Sequence, residues 1–339
     1  MERAMAMRTR AGGVRPTITR LAIIVTVFLL ATPLAARAQP AGKVPRVGVL
    51  ANGSAATSPP VDAFRRGLRD FGHVEGQNIA LEIRWAEGRF ERLPEMAAEL
   101  VRWKPDVLVA AGPYGLQAAR RATTAIPIVM ISCDPAETIV ERIARPSGHI
   151  TGVTCMSSDL TPKRLQLLKE IVPSIHRVAV LYNPFDPNKA EEVRQMQAPA
   201  RTLGITLAPV GAEDAGAFER AVADAVRERA DALFVLPDPL TLLERRRIAD
   251  LAAKHRLPAM YGFKEFVTAG GLMSYGTMQT DLYRRAAAHV DKILRGKNPA
   301  DVPVEQATRF ELVINLKTAK ALGVMLPQSL LVRADQLIE

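Results

Sequence analysis

Short polar and aromatic side chains stand where apolar runs end. Asn52 and Ser54 follow the run 44–50, Tyr114 follows 107–111, and Ser132 and Asp134 close the run 126–131. The second half repeats the arrangement: Asn183 after 178–182, Asp238 after 232–236, Tyr261 at the end of 258–261, and Tyr275 at the end of 272–275. None is a nucleophile set beside a base, and none belongs to a metal-ligand pattern. Their chemistry is that of holding. An aspartate suits an ammonium group, a tyrosine ring suits a flat or apolar body, and amides and hydroxyls orient polar atoms. Several precede segments of helical periodicity, whose free N-terminal amides suit a carboxylate or another anion. Taken singly, each is equally well explained as a turn residue, because Asn and Asp before proline are common turn formers. Asp134 and Asp238 stand apart, since proline flanks both in matching places of the two halves. Together the nine residues describe a zwitterionic or polar small molecule held between two lobes.

The motifs of catalysis are missing. The sequence has no Gly-x-Ser-x-Gly elbow, no phosphate loop of the Gly-x4-Gly-Lys type, no dinucleotide fingerprint after the first strand, and no His/Cys/carboxylate cluster at metal spacing. No catalytic residue, cofactor or metal is therefore implied. His73, His149, His176, His255 and His289 are scattered over predicted helix ends and loops, where surface or capping roles suit them. Arg245-Arg246-Arg247 reads as a solvated helix face, and nothing supports nucleic-acid binding.

The elements that must position the nine residues follow one grammar from residue 43 onward: apolar strand, polar turn, amphipathic helix. Strands are predicted over 44–50, 79–85, 107–111, 126–131, 150–155, 178–182, 205–210, 232–236, 258–261, 272–275 and 310–315. Helices are predicted over 61–72, 92–103, 116–124, 136–144, 161–172, 190–203, 217–229, 242–255, 282–296 and 316–322. Each half is thus a string of βα units, which implies an α/β fold of two parallel sheets with right-handed crossovers. Ligands of open parallel sheets sit beyond the C-terminal strand ends, where the nine residues are. The stretch 131–159 joins a strand-end turn to a crossover between the halves. The segments after 281 are too few for a third domain and must complete the two lobes. The expected division is 44–156 plus 281–305 for an N-terminal lobe and 157–280 plus 306–339 for a C-terminal lobe.

The 339 residues suffice for two domains of ordinary size, and 48% hydrophobic with 24% charged residues suits a soluble α/β chain. The net charge of +10 is uneven. Arg3, Arg8, Arg10, Arg15, Arg20 and Arg37 precede Gln39, with Glu2 the one acid among them. This basic opening leads into the apolar run 21–31 and then Ala36-Arg37-Ala38, the pattern of a cleavable secretory signal over 1–38. An uncleaved anchor is the other reading. Export would permit a bond between the two cysteines, Cys133 and Cys155. Strand spacing does not guarantee bonding geometry, and the expectation is two buried or half-buried thiols.

The segments RVGVL, AFRRGLRDFGHVEGQNI, ARPSGHITGV, KRLQLLKEIVP with VAVLYNP, GGLMSYG, DLYRRAAAHVDKILRG and the closing PVEQATRFELVINLKTAKALGVMLPQSLLVRADQLIE resemble the ABC-transporter substrate-binding protein family that includes tryptophan- and aromatic-amino-acid-binding members. The similarity covers 44–339. It implies a type I periplasmic binding protein: two Rossmann-like lobes, three hinge strands, ligand in the cleft, and lobe closure. It further implies a periplasmic monomer without catalytic activity that delivers a small-molecule ligand to an ABC permease and its ATPase, touching the membrane only through the permease. Ligand duty falls on the strand-end residues already named. An extracellular domain that senses a ligand for a membrane receptor, and a secreted α/β enzyme, are the other function classes compatible with the chain.

Overall fold

The computed structural model describes residues 43–53, 58–133 and 148–339, and in them the apolar runs assemble into two separate sheets. Ser54, Asp134, the predicted helix 136–144 and the expected signal over 1–38 lie outside the described residues. The first sheet contains β1 (Arg46–Ala51), β2 (Ala80–Trp85), β3 (Val107–Ala111), β4 (Ile128–Ser132), β5 (Ile150–Thr154) and β11 (Glu305–Gln306). Its order is β11-β5-β4-β3-β1-β2, and every pair is parallel. The second contains β6 (Arg177–Tyr182), β7 (Thr206–Gly211), β8 (Ala232–Val235), β9 (Ala259–Tyr261), β10 (Met273–Thr277), β12 (Phe310–Asn315) and β13 (Gln336–Ile338). Its order is β13-β12-β10-β9-β8-β6-β7, with β10 and β12 alone antiparallel.

Both faces of each sheet are buried, which is why the strands read as continuous apolar runs rather than as alternation. Val47, Val49 and Ala51 of β1 join one core cluster while Leu50 joins another. In β6, Ala179 and Leu181 face one way and Val178 and Val180 the other. The first sheet is covered by α1 (Pro59–Asp70), α2 (Leu93–Arg102), α3 (Gly112–Ala122) and α11 (Gln279–Leu294); α11 packs on α1 and on β3, β4 and β5. The second carries α4 (Thr161–Ile171), α5 (Pro187–Gln195), α6 (Gln197–Thr202), α7 (Ala217–Arg227), α8 (Pro239–Leu243), α9 (Arg245–Lys254), α10 (Lys264–Thr268), α12 (Leu316–Leu322) and α13 (Gln328–Arg333). The chain passes between the sheets three times: from β5 into α4, from β10 into α11, and from β11 into β12.

Several boundaries differ from the sequence reading for local reasons. The predicted helix 190–203 divides at Met196, because Pro199 has no N–H to give the carbonyl of Gln195. The predicted helix 242–255 divides at Glu244, whose φ of −88° and ψ of 15° break the α pattern. α3 begins at Gly112 rather than 116, so Tyr114 lies in the first helical turn instead of a loop. The two cysteines, expected as thiols, are bonded, with Cα atoms 4.7 Å apart. The register explains it: Ser132 of β4 lies opposite Thr154 of β5, and the Cys155 amide donates to the Ser132 carbonyl at 2.9 Å, so the next residues of the two strands meet.

Candidate functional site

In each sheet the strand order reverses at one place, between β1 and β3 in the first and between β6 and β8 in the second. Crevices form at such switch points, beyond the C-terminal strand ends. Asn52 follows β1, Tyr114 follows β3, Asn183 follows β6 and Asp238 follows β8. The structure sets the two switch points against each other. The Tyr114 hydroxyl donates to Asp238 Oδ2 at 3.2 Å and accepts from Asn183 Nδ2 at 2.7 Å. Asn183 Nδ2 also lies 3.5 Å from Asp238 Oδ1. Asn52, on the first sheet, lies beside Gly112 at the start of the helix that carries Tyr114. A Cβ at Gly112 would fall 2.4 Å from Asn52 Nδ2 and 3.3 Å from Pro239 Cγ, and Gly112 has φ of +68°, so no larger residue fits there. The Tyr114 ring is tilted against Phe90 at 5.2 Å, and Leu243 of α8 lies over Gly88.

Local turn chemistry fixes Asn183 and Asp238 before any ligand is considered. Asp238 caps α8: its Oδ1 accepts from the Leu240 amide at 2.8 Å, and Thr241 Oγ1 accepts from its own amide at 3.2 Å. Asn183 Oδ1 accepts from the Phe185 amide at 3.0 Å. The turn bonds thus use Asn183 Oδ1 and Asp238 Oδ1, while Asn183 Nδ2 and Asp238 Oδ2 reach Tyr114. Asp238 is only 3% exposed. Burial pushes its carboxyl above the usual carboxylate range, and the Leu240 amide, the Lys189 charge and the contacts from Asn183 and Tyr114 pull it back only in part.

A family model described as ABC transporter substrate binding protein matches residues 50–338. The chain belongs to that family. It is 27% identical over 272 residues to a tyrosine-binding protein of Clostridioides difficile (strain R20291), with 78% of each chain covered. A conserved domain protein from Vibrio cholerae shares the fold at TM-score 0.79 and 27% identity, over 87% of this chain and 100% of that one. A domain from Streptococcus pneumonia in complex with L-Trp superposes at TM-score 0.78 and 24% identity, over 87% of this chain and 99% of that one. The fold is that of a type I periplasmic binding protein.

Of the other predicted positions among the described residues, Ser132, Tyr261 and Tyr275 do not join the cluster. Ser132 is buried at the end of β4, where its carbonyl receives the Cys155 amide. Tyr261 lies wholly inside the second lobe's helix-covered core. Its ring stacks on Phe266 at 4.6 Å, and its hydroxyl finds no hydrogen-bond partner among the described residues. The strand's period of two decides this, since Tyr261 shares a face with Ala259. Tyr275 is half-buried near Phe310, with ring centroids 6.2 Å apart, and it is its carbonyl that makes a close contact, with Arg164.

What sequence reasoning missed is a set of buried charges behind Asp238. Lys189 Nζ pairs with Glu192 Oε2 at 2.9 Å, Thr161 Oγ1 donates to Glu192 Oε1 at 2.9 Å, and Arg164 lies in the same layer of the second lobe. The signal was present as helical spacing. Thr161, Arg164, Leu168 and Ile171 share the buried face of α4, and Lys189, Glu192, Val193 and Met196 share that of α5 and its end. A charged residue at an apolar-face position marks a buried network.

Proposed function

We propose that the chain is the periplasmic solute-binding component of an ABC import system, which holds an amino acid with an aromatic side chain between its lobes and passes it on unaltered. The observation that carries this reading is the meeting of Tyr114 with Asn183 and Asp238 across the two sheets. Groups that touch only when the lobes approach are the groups a ligand must satisfy or displace. Asp238 takes the ligand's ammonium, its buried carboxylate gaining a counterion that no described residue supplies at ion-pair distance. Tyr114 and Phe90 offer a flat apolar face from the first lobe, and Asn52 a polar edge. The tyrosine-binding relative and the L-Trp complex of the similar domain support this chemistry.

Closure follows as a population shift, because contacts from both lobes coexist only in the closed form. The proposed lobes are 44–156 plus 281–305 and 157–280 plus 306–339, and their three connections serve as the hinge. A permease and its ATPase are the proposed partners, and residues 1–38 the signal that exports the chain. Among the described residues no helix is long and apolar enough to cross a membrane. Calorimetry and thermal shift with L-tyrosine and L-tryptophan, with L-alanine and D-glucose as controls, test the reading. A ligand at 100 times its Kd adds about 2.7 kcal/mol of stability. Saturable binding of an aromatic amino acid, weakened by Asp238→Asn, is expected; a sugar bound in preference to all three amino acids would refute the ligand class.

A further inference from the structure

Arg164 of α4 is 1% exposed, the largest side chain among those fully buried. Its Nε donates to the Tyr275 carbonyl at 2.6 Å, and its Nη1 to the Ser157 carbonyl at 3.0 Å and the Ser157 hydroxyl at 3.3 Å. The two donors of Nη2 have no hydrogen-bond partner among the described residues, and no described carboxylate lies within ion-pair distance of the guanidinium. Glu192 acts on it only from a distance and is already held by Lys189. Such a charge is expensive to bury without an anion. Burial lowers the Arg164 pKa to about 10.

The position of Nη2 says where the anion would come from. A Cβ added at Gly262 or at Gly276 would each lie 3.3 Å from it, although Gly276 is also required by the close approach of the Gly262 carbonyl. Gly262 directly follows β9 and Gly276 is the last residue but one of β10. The unused edge of the guanidinium therefore lies at the C-terminal edge of the second sheet, the edge that also carries Asn183 and Asp238. We infer that Arg164 is an anion subsite of the cleft, where Nη2 receives the ligand's carboxylate. The inference rests on the amino-acid reading above and completes it: one lobe supplies a buried carboxylate for the ammonium and a buried guanidinium for the carboxylate.

The competing role is that of a pin, tying Ser157 in the first crossover to Tyr275 before the second. The two roles separate when ligand and protein are changed together. Binding of L-tyrosine, L-tryptophan and their primary amides is measured by calorimetry on wild type, Arg164→Gln and Arg164→Lys. A subsite predicts that wild type prefers acid to amide by about tenfold to a hundredfold, the range for a charged hydrogen bond. It also predicts that Arg164→Gln abolishes the preference and Arg164→Lys keeps part of it. A pin predicts that Arg164→Gln weakens acid and amide alike, leaving the ratio intact, and that result overturns the inference. Should neither variant fold, the wild-type ratio decides, and equal affinities overturn the subsite alone. Failure of all four compounds to bind wild type overturns the subsite and the amino-acid reading together.

Discussion

Tyr114→Phe removes one oxygen and leaves the ring against Phe90. That oxygen bonds across the sheets, since it lies in the first turn of α3 while Asn183 and Asp238 stand at strand ends of the second sheet. The bond to Asn183 at 2.7 Å is a good neutral one, contributing about 1 kcal/mol. The bond to Asp238 at 3.2 Å is long for a charged pair and falls at the low end of its class, about 1.5 kcal/mol. Because the contact exists only when the lobes meet, the full sum of roughly 2.5 kcal/mol is lost from the closed arrangement and none from the open one. At 1.4 kcal/mol per tenfold, the closed-to-open ratio should fall by about sixtyfold. Spin labels on cysteines introduced at exposed Arg121 and Arg201 report this as inter-lobe distance, and the native cysteines do not interfere because they are bonded to each other. The variant should show a longer-distance population that wild type lacks under the same conditions. Superimposable distance distributions would refute the argument that this hydroxyl couples the lobes.

Four further outcomes are expected. Burial raises the Asp238 carboxyl above its ordinary value of 3.8, so the native state keeps that proton to higher pH than the unfolded chain does. Stability is then lost as pH rises from 3.8 through the raised value; Asp238→Asn should flatten that slope in urea titrations while weakening ammonium binding, and an unchanged slope would show that the group is not the source. Ammonium affinity in wild type should fall as pH drops through the same raised value, which calorimetry across acidic pH reads directly. Lys189→Met leaves Glu192 buried without its partner at 2.9 Å and should cost about 3–5 kcal/mol by urea unfolding. Reduction of the Cys133–Cys155 bond, which closes a separation of 22 residues, should cost about 3 kcal/mol and lower Tm; an unmoved Tm would mean that the denatured chain is not constrained by it.

The sheets were legible because parallel strands buried on both faces leave apolar runs punctuated by turn residues, as RVGVLA of β1 and VLVAA of β3 do. Their C-terminal punctuation located Asn52, Tyr114, Asn183 and Asp238, which the topology then brought to the two switch points. Tyr261 shows the limit of that signal. A strand end says nothing about which face a side chain takes, and β9 is only three residues long, so its last residue points into the core. The cysteine pairing depended on a register between β4 and β5 that no local pattern encodes. β11 is two residues long and lies at the edge of its sheet, too short to leave a periodicity. The missed cations were legible in principle, but a helix such as TPKRLQLLKEI reads first by its leucines, and Arg164 passes for a surface residue unless its angular position is checked.

The two halves of the cluster are not equivalent. Asn183 and Asp238 are locked by their own turns, Lys189 and Glu192 are paired behind them, and Arg164 is fixed by the carbonyls of Tyr275 in β10 and Ser157 in the first crossover. A site whose charges are already oriented costs little reorganisation when a charged ligand arrives. The Tyr114 hydroxyl reaches across from the first sheet, and its bonds to Asn183 and Asp238 run to the second. Under the proposed function, recognition of charge belongs to the second lobe, where desolvation makes it selective, and closure to the first, where one hydroxyl and an aromatic face are brought up to it. This division accounts for why the turn reading of the polar residues and their reading as a site never competed: the turn is what holds the recognising atoms still.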